Sequence, residues 1–364
     1  MVKQSSLCLA FLLSMLILSG CSTNVPQVKE RFFFPPPPAE PKIEYLQGYF
    51  SDRDLKPEKS NSFRDNILGK IQPKALFITP VAIASDGKGR VFVTDSGARQ
   101  VFVLDLVNQN LRVLSSSPGS ERVEPGFGLP FGVTVAGDSR LYVTDVVAKT
   151  VNVFDEKERY LFSFTDPGLV RPTAVAVDTK RKVIYVVDTA SHRLAMFDLQ
   201  GELLGYFGSR GSEPGQFNYP TDVDVDDRGH IYVLDSLNAR VQVFDEAGAF
   251  LRMFGERGTA TGSFEMAKNL AVSSTGQVYV TDALAHKLVI FSTEGELLLR
   301  IGSKSVVKDG ISPGGFYMPR GVDVDTEGGV WVVDSLNRMI HHFQFLTSQY
   351  LSEHPIGQGV LPVP

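Results

Sequence analysis

Val91-Phe92-Val93-Thr94-Asp95 has five close relatives further along the chain. They are Leu141-Tyr142-Val143-Thr144-Asp145, Ile184-Tyr185-Val186-Val187-Asp188, Ile231-Tyr232-Val233-Leu234-Asp235, Val278-Tyr279-Val280-Thr281-Asp282 and Val330-Trp331-Val332-Val333-Asp334. Their aspartates lie 50, 43, 47, 47 and 52 residues apart. A period of this length marks a repeat architecture. Val, Ile and aromatic residues suit a strand covered on both faces. A hydrophobic strand and a Gly or Asp turn precede each stretch, and a short loop and third strand follow it. One such unit cannot bury its own faces. Six standing around a common axis bury each sheet against the next and leave few edges open. The expected fold is therefore all-β, a six-bladed β-propeller.

Composition agrees. The chain has 364 residues, 43% hydrophobic and 21% charged, which is ordinary for a globular protein. The 33 glycines recur at turn positions. A net charge of -5 does not point to nucleic acid as the main partner. The two cysteines, Cys8 and Cys21, both precede the repeats, so the repeat region has no disulfide and no Cys-based metal site.

The first 20 residues read as a targeting signal. Lys3 supplies a positive start, and Leu7 to Ile17 is an apolar run too short to span a bilayer as a helix. Leu18-Ser19-Gly20-Cys21 resembles the bacterial lipoprotein signal, which implies cleavage before Cys21 and lipid on its thiol. Acyl chains contribute about 0.8 kcal/mol per buried CH₂, so several would hold a domain firmly at a membrane. Ser22 in place of Asp favours the outer membrane over the inner. Residues 21–42, with the run Pro35 to Pro38, read as an extended polyproline tether. The propeller is expected over 43–350 and a tail over 351–364, with a short helix over 63–70.

The repeats resemble the NHL family, whose pattern is roughly Pro-x-Gly-Val-Ala-Val-Asp, Gly-x-Ile-Tyr-Val-x-Asp and Asn-His-Arg-Ile-x-Val-Phe. Unit four carries the resemblance best, in Pro220-Thr221-Asp222-Val223-Asp224-Val225-Asp226 and Asp235-Ser236-Leu237-Asn238-Ala239-Arg240-Val241-Gln242-Val243-Phe244. Unit three offers Ser191-His192-Arg193-Leu194 and unit five Ala285-His286-Lys287-Leu288. The resemblance covers about residues 80–346 and implies an NHL-type propeller. Gln100, Thr150 and Met339 replace the basic residue of the third strand, so the family's Asp-to-Arg contact is not expected in units one, two and six.

Units one to five each continue into an outer strand, but unit six has no obvious one after Leu346. Ile43-Glu44-Tyr45-Leu46-Gln47-Gly48-Tyr49-Phe50 reads as that missing strand and would join the two ends of the chain, removing an open edge. The alternative is a strand from Gln349 to Ile356.

No nucleophile elbow, phosphate loop or dinucleotide fingerprint occurs in a credible context, so no catalytic residue is assigned. The inner strands contain no His, against a three-His zinc cluster. Asp222, Asp224, Asn269 and Asp323 are oxygen donors of the kind Ca²⁺ takes, but acidic strand ends also occur without metal. No metal and no cofactor are assigned. Four residues after each repeating Asp come Arg99, Lys149, His192, Ala239, His286 and Arg338, and the loops leading into the inner strands bring Arg171, Tyr219, Lys268, Tyr317 and Arg320. A basic, aromatic ring at a channel mouth suits an anionic ligand or acidic protein patch. Two readings stand. One is a non-catalytic binding or scaffold protein on an envelope membrane, with no nucleic-acid partner. The other is a lactonase-like hydrolase or lyase with a metal at the mouth. A third is an accessory to an exported multiprotein system; without Cys-x-x-Cys-His it would carry no haem of its own.

Overall fold

A computed structural model describes residues 30–36, 38–55, 75–114, 126–306 and 312–356. The signal segment, Cys21 and the helix expected over 63–70 lie outside the described residues. The described residues from Arg31 onward form one compact unit.

Among the described residues, five sheets have four antiparallel strands in sequence order, one has five, and Ser209–Arg210 pairs with Gln216–Phe217 in a short parallel sheet. Blade 1 begins with the inner strand Pro80–Ser85, blade 2 with Pro130–Val135 and blade 3 with Pro172–Asp178. Blades 4, 5 and 6 begin with Pro220–Val225, Ala267–Val272 and Pro319–Val324. Each second strand is the stretch recognised in the sequence and ends on the repeating Asp.

Packing shows why the blades form a ring. Six clusters of buried apolar side chains are present, and each draws on two adjacent blades. Phe92, Val101 and Val103 of blade 1 meet Val133, Leu141 and Val143 of blade 2. Ile83, Val91 and Val93 of blade 1 meet Trp331, Val333 and Ile340 of blade 6, which closes the circle. Near the axis the backbones approach closely. A Cβ on Gly132 would come within 2.6 Å of the Thr173 carbonyl oxygen, and one on Gly321 within 2.8 Å of the Ala82 Cα. Only glycine fits such contacts.

Ile43–Tyr49 pairs antiparallel with Met339–Phe345 and supplies the fourth strand of blade 6, as the sequence suggested. The alternative segment instead forms a helix, Ser348–Glu353, capped by the Thr347 side chain. Phe32–Phe34 adds a fifth strand outside Ile43–Tyr49. This corrects the expected tether. Three aromatic residues in a row favour burial on a sheet over a solvated stalk, so residues 31–36 and 38–42 belong to the folded unit. Phe33 is fully buried, and the Lys42 amide donates to the Phe34 carbonyl.

A polar clamp locks the closure. Arg31 Nε and Nη2 each donate to a Glu44 carboxylate oxygen at 2.7 Å, Arg31 Nη1 donates to the Pro355 carbonyl, and the Tyr350 hydroxyl donates to Glu44. Glu44 is almost wholly buried, so losing one partner leaves the other uncompensated. Glu44→Ala is expected to lower unfolding free energy by about 1–3 kcal/mol in urea denaturation. A loss under about 0.5 kcal/mol would show that the clamp is incidental to closure.

Candidate functional site

Each repeating Asp is fully or almost fully buried, and its carboxylate accepts backbone amides from the loop leading into its own blade's inner strand and, in blades 1, 2 and 5, from the loop that follows the Asp itself. Asp95 takes Ile78, Thr79 and Ala98, and Asp145 takes Gly128, Leu129, Val147 and Ala148. Asp188 takes Val170 and Arg171, and Asp235 takes Asn218. Asp282 takes Glu265, Met266 and Ala285, and Asp334 takes Tyr317. A buried charge is tolerable when amides surround it. These bonds fix the loops of one face of the disc. Arg240 adds an ion pair to Asp235 at 2.8 Å, and Arg193 lies 3.8 Å from Asp188. Lys287 differs, since its ammonium donates to the Ala260 and Ser263 carbonyls.

The second tie runs between blades, from hydroxyls beside the repeating Asp. Thr94 donates to the Phe131 carbonyl at 2.6 Å, Thr189 to Pro220 at 2.7 Å, Ser236 to Ala267 at 2.6 Å and Ser335 to Pro80 at 2.5 Å. Thr281 donates to the Arg320 carbonyl. The start of each of these inner strands, where the channel opens, is thereby held from the preceding blade.

The channel has three parts. A cavity of about 260 Å³ opens on the face carrying the Asp-bound loops and draws on all six blades. Arg171, Lys268 and Arg320 project into it, with Tyr219, Phe131, Thr221 and Leu237. A waist of about 40 Å³ follows, lined by Asp222, Asp224, Asn269 and Asp323. The other face opens through a cavity of about 480 Å³ rich in carboxylates, among them Asp178, Asp226 and Asp325, with Lys88 and Lys180. The protein is thus polarised along its axis, basic at one mouth and acidic at the other.

At the basic mouth the three cations feel one another. Burial lowers the pKa of Lys268, the Arg320 and Arg171 charges add to the effect, and the Asp282 charge opposes it. Burial and Arg171 lower that of Arg320 in the same way. Arg320 lies over the Phe131 ring at 5.4 Å, a cation–π contact. Among the described residues no carboxylate forms an ion pair with these three side chains. The Thr221 hydroxyl in the same cavity is buried without a hydrogen-bond partner.

The ring expected from the sequence therefore divides. Arg99, Lys149, His192, Ala239, His286 and Arg338 all adopt left-handed backbone, with φ between 53° and 58°, so they are equivalent loop positions. Arg99, Lys149 and Arg338 are exposed on the rim, outside the mouth. His192 and His286 turn inward to neighbouring backbone. His192 Nδ1 accepts the Tyr219 amide at 3.1 Å, and His286 Nδ1 accepts the Met318 amide at 3.2 Å. Each ring thereby braces the next blade's loop. Tyr219 and Tyr317 lie against these two rings, and Lys304 sits over Tyr317. Tyr317 thus stays outside the mouth that Arg171, Tyr219, Lys268 and Arg320 share. Sequence reasoning missed Phe131, Thr221 and Leu237; Phe131 and Thr221 hold the inner-strand position that Lys268 and Arg320 hold in blades 5 and 6.

The oxygen donors weighed for Ca²⁺ are engaged otherwise. Asp222 accepts the Asn269 side chain at 2.5 Å and the Leu270 amide at 2.7 Å, and Asp224 accepts the Val272 amide at 2.7 Å. Asn269 accepts the Val322 amide and Asp323 the Ser85 amide, both at 2.6 Å. These bonds link successive blades. No cluster of three or more His, Cys, Asp or Glu suited to a metal occurs among the described residues.

Burial raises the Asp323 pKa to about 7 and the Asp224 pKa to about 6, with like charges adding to each. Unfolded carboxyls titrate near 4. Between these values the folded state binds more protons, so stability from these groups is full below about pH 4 and is lost as pH rises through about 6 to 7. The melting temperature is expected to fall from pH 5 to pH 8. Asp323→Asn, whose amide oxygen still accepts the Ser85 amide, is expected to raise it by about 2 °C or more at pH 8 and to flatten the dependence. An equal slope in the variant would assign the pH effect elsewhere.

Residues 217–244 match the NHL repeat model. With the ring described above, the chain is a six-bladed β-propeller that carries an NHL repeat at residues 217–244. Several solved structures share the architecture. A structural-genomics protein of unknown function from Bacteroides thetaiotaomicron aligns with a TM-score of 0.59 at 18% identity, over 74% of this chain and 70% of that one. A catalytically inactive virginiamycin B lyase from Staphylococcus aureus, with quinupristin, aligns at 0.53 and 12% identity, over 77% and 86%. Hydrazine synthase from Kuenenia stuttgartiensis aligns at 0.51 and 12%, over 77% and 99%. At such identities the likeness is one of fold.

Proposed function

We propose that this chain is a binding propeller of the bacterial cell envelope, held at a membrane by lipid on Cys21, that captures an anionic group at its basic mouth. The observation carrying this reading is the convergence of Arg171, Lys268 and Arg320 on one cavity with no ion-paired carboxylate among the described residues. Lys268 and Arg320 are partly desolvated and unpaired, which is costly, and an incoming anion relieves that cost. The lipoprotein-like Leu18-Ser19-Gly20-Cys21 supports the location, with the outer membrane favoured by Ser22. Catalysis needs a nucleophile, base or metal placed at a reacting atom. The mouth offers cations, hydroxyls and a phenol, while His192 and His286 are turned to neighbouring amides. Binding therefore accounts for the mouth better than the lyase-like alternative, which draws on fold likeness to virginiamycin B lyase.

Citrate is a suitable probe. Ligand that binds only the folded state raises the melting temperature with concentration. Citrate at constant ionic strength is expected to stabilise the wild type, and Arg320→Ala to weaken its binding roughly tenfold or more. Indistinguishable citrate series for the two proteins would refute anion capture. Separately, Cys21→Ser is expected to move the protein from the membrane to the soluble fraction. A variant still sedimenting with membranes after high salt would exclude the lipid anchor.

A further inference from the structure

The basic mouth sits inside a rim of exposed apolar side chains. Two residues after the repeating Asp come Val147, Leu237, Leu284 and Leu336, at 67, 47, 50 and 49% exposure. Blade 1 has Gly97 at this position, and Ile78 lies over it; a Cβ on Gly97 would come within 2.7 Å of the Ile78 side chain. In blade 3 the loop leading into the inner strand supplies Val170. Every blade therefore offers one large apolar side chain on this face, and Leu237 also lines the mouth itself. Exposed apolar groups arranged as a set mark an interaction surface more than scattered ones do.

We infer that the natural occupant is a protein segment bearing a carboxylate flanked by apolar residues, the carboxylate entering the mouth and the flanks resting on the rim. This rests on the anion-capture reading and names its partner class. Charge decides the centre, because Arg171, Lys268 and Arg320 accept a negative group and Thr221 offers an unpartnered hydroxyl beside them. Size limits what enters. About 260 Å³ lies below the usual 300–1,000 Å³ range of small-molecule pockets, so the mouth takes a side chain or chain end rather than a large cofactor. A free inorganic anion would leave the rim exposed. A bilayer is flat, whereas Arg320 is set down in the cavity and held there by the Thr281 bond to its carbonyl and by Phe131. A peptide that protrudes at one acidic residue satisfies both the centre and the rim. An apolar contact ring around a charged centre also excludes water from that centre, which strengthens it. The loops are held by the buried aspartates before any partner arrives, so little ordering opposes binding.

The test selects from a random twelve-residue peptide library displayed on phage, using the purified full chain as bait. Enriched peptides are expected to carry Asp or Glu with Leu, Ile, Phe or Tyr within two residues. A synthetic copy of the leading peptide should bind at least about tenfold more weakly to Arg320→Ala and to the triple variant Val147→Ser/Leu284→Ser/Leu336→Ser, whose rim residues lie outside the mouth. The triple variant should keep the wild-type melting temperature and the wild-type response to citrate, since it leaves the cations in place. Enrichment of peptides without an acid, equal peptide affinity in the triple variant, or recruitment to phosphatidylglycerol vesicles with no peptide enriched would overturn the inference. Loss of the citrate response in the wild type would instead refute anion capture itself, and the two failures are thereby told apart.

Discussion

The buried carboxylate that ends each second strand organises the rest of the structure. It sits in the core, accepts one or two amides from the loop leading into its blade's inner strand, and so fixes where that loop stands on the face. Hydroxyls beside it staple most inner strands to the preceding blade. The hydrophobic effect holds the blades together, because each apolar cluster spans two of them. It is non-directional, however, and the aspartates supply the direction.

The same arrangement explains the charge of the mouth. Asp188 and Asp282 lie close to the backbone of Arg171 and Lys268, yet both point their oxygens at amides. The acids of the inner strands are likewise bound to the next blade, at the waist and beyond. The nearby carboxylates are therefore committed before the cations can use them. Arg171, Lys268 and Arg320 remain without ion pairs among the described residues, and an overall acidic chain presents a basic mouth.

Much of this was legible in the sequence. The repeating Val/Ile-aromatic-Val-x-Asp stretch declares both the period and the position of the anchoring carboxylate, and the strand at 43–50 was visible because blade 6 lacked an outer partner. Three features were not. Phe32–Phe34 is too short to stand out beside a proline run, and it becomes a strand only when Ile43–Tyr49 presents an edge. His192 and His286 share a loop position with Arg99 and Lys149, but their rings reach a neighbouring amide that only the closed ring brings near. The mouth combines Arg171 and Tyr219, just before the inner strand's first position, with Lys268 and Arg320, just after it. No single column of the repeat contains all four. The apolar rim, in contrast, follows a column two places after the Asp in blades 2, 4, 5 and 6, and reading that column would have found it.

Anomalous diffraction from crystals of the full chain soaked in iodide tests the central claim most directly. The account predicts iodide among the Arg171, Lys268 and Arg320 side chains at the mouth, more fully occupied than any site on the outer strands. A mouth without iodide while other surfaces hold it, or a carboxylate found paired with those side chains, would contradict the claim that the fold leaves these side chains without an ion pair.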